Sequence, residues 1–118
     1  MKIGVALPTV GLDHGPELLL PVAEAAERLG FDSVWVTDHA LMSYARQSEY
    51  PYGRSGTEIA MTPGMKWLEP LTTLAFVASR SERLRLGTSV LVLPYRKPVI
   101  VAAEAASIHL RRTAKTRA

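Results

Sequence analysis

The stretch Phe31–His39, Phe-Asp-Ser-Val-Trp-Val-Thr-Asp-His, constrains this chain more than any other. A short apolar, β-branched run bounded by polar residues reads as a strand buried on both faces. Asp38 and His39 follow it directly. In parallel α/β folds, ligands collect at the carboxyl ends of such strands. The sequence therefore delivers an acid and an imidazole to the place where that architecture keeps its chemistry.

The flanking segments repeat the pattern. Lys2–Leu7 reads as a first strand, stopped by Pro8. A helix is predicted from Pro16 or Glu17 to about Leu29. Leu18, Leu19, Val22, Ala25, Ala26 and Leu29 form its apolar stripe, and Gly30 is its C-cap. Ala40–Lys66, rich in Gly, Pro and Tyr, has no sustained period. A loop of about 25 residues in a compact domain is usually functional or mobile. Trp67–Ser81 reads as a second helix, with Leu71, Leu74, Ala75, Val77 and Ala78 inward. Leu84–Leu93 is a third strand, ended by Pro94. Lys97 or Pro98 opens a third helix, whose amphipathic pattern fades after about Ser107. The order β-α-β-α-β-α predicts a parallel α/β sheet with helical crossovers. Three such units open an eight-fold barrel or make half of a doubly wound sheet.

Composition removes several functional classes. The 118 residues make one domain at most. No apolar run approaches the roughly 18 residues of a membrane span. Met-Lys-Ile-Gly enters a strand at once, with no signal-peptide pattern. The absence of cysteine removes disulfide and thiolate chemistry and fits a cytoplasmic protein. The formal charge of +3 is misleading: Arg111, Arg112, Lys115 and Arg117 lie in the last eight residues, where there is no acid. The body is nearly neutral, so neither a nucleic-acid partner nor a membrane is expected. A small-molecule substrate is.

The motifs narrow it further. No Gly-x-Gly-x-x-Gly follows the first strand, and there is no phosphate loop or nucleophile elbow. His14 and His109 are too far in sequence from His39 to suggest a metal site. Two readings of Asp38-His39 stand open. Either His39 hydrogen-bonds or protonates a ligand at the sheet mouth, or Asp38 caps a turn and His39 fills an interior position. Gly87, Thr88, Ser89 and Val90 also divide: a glycine and small hydroxyls let a flat ligand approach the backbone, or fill a bulge. Tyr44, Tyr50, Tyr52 and Trp67 either wall an apolar pocket or cover core. Arg96 either meets an anion near a helix start or is ion-paired.

A set of segments, in order, resembles the N-terminal third of the luciferase-like monooxygenase superfamily, in its coenzyme F420 (deazaflavin) dependent branch. They are Ile3-Gly4-Val5-Ala6-Leu7-Pro8, the run from Ala23 to Val36, Asp38-His39, Tyr50-Pro51-Tyr52, Glu69-Pro70-Leu71, and the run from Leu84 to Pro98. The resemblance covers roughly residues 1–107. It implies the first three units of a (β/α)8 TIM barrel, truncated here at about a third of the full length. It implies coenzyme F420, or alternatively FMN, at the strand C-terminal ends. His39 would sit beside the ring with Asp38 as its orienting neighbour. Gly87, Thr88, Ser89 and Val90 would back the ring, with a non-proline cis peptide at Ser89-Val90. The chemistry would be hydride transfer, or oxygen activation with reduced FMN.

The departure comes after Ser107. The family continues with Leu-Ser-Gly-Gly-Arg and a Gly-rich fourth strand; this chain reads Leu110-Arg111-Arg112-Thr113. A GC-rich coding run for Ser-Gly-Gly-Arg, read out of frame, yields Arg-Arg-Thr. Residues 108–118 are therefore read as a basic, frameshifted tail, a hypothesis that sequencing of the gene region tests. A truncated barrel leaves open sheet edges, so self-association is also expected.

Overall fold

The computed structural model describes residues 1–11, 16–39 and 66–115. Tyr44, Tyr50, Tyr52, His14 and the segment 40–65 lie outside the described residues. Strands β1 (Gly4–Ala6), β3 (Ser33–Val36) and β5 (Arg85–Thr88) form a parallel sheet in the order β1-β3-β5. Helices α1 (Pro16–Arg28), α2 (Pro70–Ala78) and α3 (Pro98–Lys115) alternate with them. A second, antiparallel pair joins β2 (Val10–Gly11) to β4 (Lys66–Trp67).

The core lies between the sheet and helices α1 and α2. Leu7, Val34, Val36 and Leu84 pack there against Leu19, Ala23 and Ala26 of α1 and Leu74 and Val77 of α2. The α1 seam is narrower than its apolar content predicts. Positions 19, 23 and 26 recur at helical spacing and are buried, while Leu18 and Leu29 are exposed. Gly30, at φ +84°, ends the helix. The Gly30 N–H donates to the Glu27 carbonyl and the Phe31 N–H to the Ala26 carbonyl, the two bonds of a Schellman stop.

Helix α2 starts later than the sequence predicts. The residue before a proline avoids helical backbone, so Pro70 sets the first turn and Glu69 becomes the N-cap. Trp67 consequently lies in β4, opposite Val10. Strand β5 is shorter than Leu84–Leu93. The Ser89 N–H still reaches the Val36 carbonyl at 2.8 Å, but β3 ends there and leaves the later residues no ladder. Helix α3 runs past Ser107 to Lys115 and packs on α2.

Two expectations for the sheet are corrected. Strand β3 is buried on one face only: Val34 and Val36 are inaccessible, whereas Trp35 is 41% exposed. Side chains alternate across a strand, and no described helix covers the Trp35 side. The pairing also runs through Gly87 without a bulge, Trp35 standing opposite Gly87 and Val36 opposite Thr88. Gly87 instead makes room for the indole ring: a Cβ there would lie 2.6 Å from the Trp35 Cε3 and Cζ3 atoms.

Candidate functional site

Parallel pairing sends the ends of β1, β3 and β5 to one rim. There Asp38 and His39 follow β3, and Ser89 and Val90 follow β5. The sequence-predicted candidates therefore share an edge of the sheet. Gly87 and Thr88 are half-buried within β5, while Ser89 and Val90 are exposed. Every peptide bond among the described residues is trans, so the cis peptide expected at Ser89-Val90 is not formed. A trans bond there lets the Ser89 amide complete the ladder to Val36, and a non-proline cis bond costs about 3–4 kcal/mol.

The rim is tied together by long-range hydrogen bonds. The Thr9 and Thr37 hydroxyls share one at 3.2 Å, and the Leu68 N–H donates to the Thr9 carbonyl at 2.9 Å. The Asp38 side chain is 1% exposed. Its Oδ2 accepts from the Val92 N–H at 2.9 Å and from Arg96 Nη2 and Nε at 2.9 and 3.3 Å. Asp38 thus faces Arg96, and none of these bonds reaches the imidazole it was expected to orient. His39 lies against Trp67, ring centroids 4.9 Å apart and planes tilted by 46°. These residues, with Leu68, Glu69, Pro70 and Tyr95, line a cavity of about 190 Å³. Two buried polar atoms in it have no hydrogen-bond partner: Asp38 Oδ1 and Trp67 Nε1.

Arg96 is ion-paired, and with two acids. Its Nη1 is 2.7 Å from Glu69 Oε1. Burial lowers the affinity of the guanidinium for its proton, but Asp38 and Glu69 outweigh that and hold it above the ordinary arginine value. Glu69 in turn caps α2, its Oε2 accepting from the Thr72 N–H at 2.6 Å. Burial pushes the Glu69 carboxyl up; the Thr72 amide and hydroxyl, Arg96 and the Leu71 amide outweigh it and leave it below the usual range. Glu69 therefore binds a proton more weakly folded than unfolded. Its stabilising contribution is complete above the ordinary glutamate pKa and is lost as pH falls through the lower, folded value. Thermal unfolding followed against pH should show this as an acid limb that Glu69→Gln flattens. An unchanged limb in that variant would contradict the assignment.

Sequence reasoning missed the capping role of Glu69 and the pairing of Arg96 with Asp38. The first was signalled by Glu-Pro at a helix start with Thr72 three positions on. The second has no local signal, because Asp38 and Arg96 are 58 positions apart. Among the described residues, no group of three or more His, Asp or Glu side chains is placed to hold a metal. Nor is any described helix long and apolar enough to cross a membrane.

Comparison with known proteins agrees with this arrangement. The family model for luciferase-like monooxygenases matches residues 1–110. An F420-dependent glucose-6-phosphate dehydrogenase of Intrasporangium calvum is 35% identical over 89 residues, 75% of this chain and 22% of the relative. An uncharacterized protein of Mycobacterium tuberculosis is 34% identical over 89 residues, 75% of this chain and 31% of the relative. A 4-hydroxyprotoasukamycin monooxygenase of Streptomyces nodosus subsp. asukaensis is 29% identical over 104 residues, covering 86% of this chain and 23% of the relative. This chain thus spans less than a third of the length of each of these relatives. With a match over nearly its whole length and relatives that include both dehydrogenases and a monooxygenase, the chain belongs to the luciferase-like monooxygenase family of oxidoreductases.

Proposed function

We propose that this chain comprises the first three β/α units of a (β/α)8 barrel oxidoreductase that works with coenzyme F420, FMN being the alternative cofactor. The observation that carries this reading is the shared rim: parallel strands bring His39 and the exposed Ser89-Val90 backbone to one sheet end. Relatives named as F420-dependent dehydrogenases support the choice of cofactor.

The residues present fit one wall of such a site. Ligand pockets usually enclose about 300–1,000 Å³, so the cavity of about 190 Å³ beside His39 accepts only the edge of a tricyclic ring. The unpartnered Asp38 Oδ1 and Trp67 Nε1 supply an acceptor and a donor for such an edge. Thr88, Ser89 and Val90 lie along the ring face, with Gly87 already filled by Trp35. When bound, the deazaflavin supplies hydride chemistry. His39 hydrogen-bonds the ligand or passes it a proton, Trp67 fixes the imidazole plane, and Asp38 holds the rim in register. Titrating the chain with coenzyme F420 and with FMN, followed by absorbance and fluorescence, tests this. Binding of the deazaflavin that His39→Ala removes is the expected result; a folded chain that binds neither would overturn it.

A second reading rests on a different observation. The sheet has edges at β1 and β5 and an uncovered face carrying Trp35. A non-catalytic fragment that self-associates through these surfaces would form concentration-dependent oligomers in sedimentation and bind neither cofactor.

A further inference from the structure

We propose that Arg96 is a positioning residue for His39, setting the distance between the His39 and Trp67 rings. The argument is one of connectivity. Arg96 bonds Asp38, the residue directly before His39, through two nitrogens at 2.9 and 3.3 Å. Its third nitrogen bonds Glu69, two residues after Trp67, at 2.7 Å. One planar guanidinium thus grips a chain neighbour of each ring in the pair. A guanidinium presents five donors in a rigid fork and can serve two carboxylates at once. Asp38 is further held by the Val92 N–H at 2.9 Å, from the same segment as Arg96.

Without the cation, two acids face each other across the rim, and Asp38 is left inside the protein with only an amide for company. Like charges at short range repel, and a buried charge without its partner moves toward water. Residue 38 then shifts, carrying His39 away from Trp67. The core itself sits elsewhere, between the sheet and helices α1 and α2, so the rings can separate while the fold persists. Lysine offers a single compact ammonium and cannot reproduce the fork.

The test is nuclear magnetic resonance on the full chain, reading Overhauser contacts between the His39 imidazole and the Trp67 indole. Amide signals of Val34, Val77 and Leu84 report the fold. In Arg96→Met the ring contacts are expected to vanish with the core signals retained, Arg96→Lys should fail to restore them, and millimolar guanidinium should restore them in Arg96→Ala. Ring contacts that persist in a folded Arg96→Met, or are fully restored by lysine, overturn the proposal. Should Arg96→Met not fold, Asp38→Asn combined with Arg96→Met removes both charges and is read the same way. The inference also rests on the cofactor reading in one further arm: displacement of His39 should weaken binding of coenzyme F420 by about tenfold or more. Unchanged affinity in a variant that has lost the ring contacts overturns the link to the ligand and leaves the clamp standing. If the parent chain binds no F420, the cofactor reading fails and the ring contacts alone decide on Arg96.

Discussion

Asp38→Ala should lower the unfolding free energy by about 3 kcal/mol, the loss expected when one partner of a buried ion pair is removed. The carboxylate is 1% exposed, and its Oδ2 serves three donors: the Val92 amide and two nitrogens of Arg96. Alanine leaves the Val92 N–H without its acceptor and Arg96 with Glu69 alone. The remaining Glu69 pair, on a side chain 44% exposed, recovers little, because exposed pairs contribute at most about 1 kcal/mol. Asp38→Asn keeps the shape and one acceptor oxygen, so it should cost less than alanine. Urea unfolding at neutral pH checks both: the midpoint should fall while the slope is unchanged. A loss below about 1 kcal/mol for alanine would show that the rim does not depend on this carboxylate.

The second large effect is steric. Gly87→Val should destabilise the chain by about 2–3 kcal/mol, toward the upper end for overpacking. Gly87 pairs with Trp35 across the sheet, and a Cβ there meets the indole at 2.6 Å. The ring cannot shift freely toward β1, because a Cβ on Gly4 would meet its Nε1 at 2.5 Å. Its Nε1–H also donates to Ser33 Oγ at 2.9 Å. Relief requires the indole to swing off the sheet and lose that bond. The diagnostic is a double-mutant cycle: with Trp35→Ala already present, Gly87→Val should cost almost nothing. Equal costs in the two backgrounds would mean that the glycine serves something other than the tryptophan.

These two sites separate what was legible in the chain from what was not. The alternation of strands and helices, the Gly30 stop and the delivery of Asp38-His39 to a strand end follow from interactions within a few residues. Periodicity, capping and proline geometry are local, so they can be read without the fold. The ordered family motifs could also be read directly. Strand and helix limits were less accurate, because Thr88 ends β5 only where its partner β3 ends, and Trp67 joins β4 only because Val10 lies opposite.

By itself the sequence determined the parallel β/α order, the family and the rim on which an imidazole stands. Only the tertiary structure decided which face of Val34-Trp35-Val36 is covered, since three apolar residues in a row carry no alternation to mark an inside. It alone matched Gly87 to an indole rather than to a bulge, and Arg96 to two acids 27 and 58 positions away. The physical reason is the same in each case: such contacts depend on strand register and helix placement, which are set by how the whole core packs rather than by neighbouring residues.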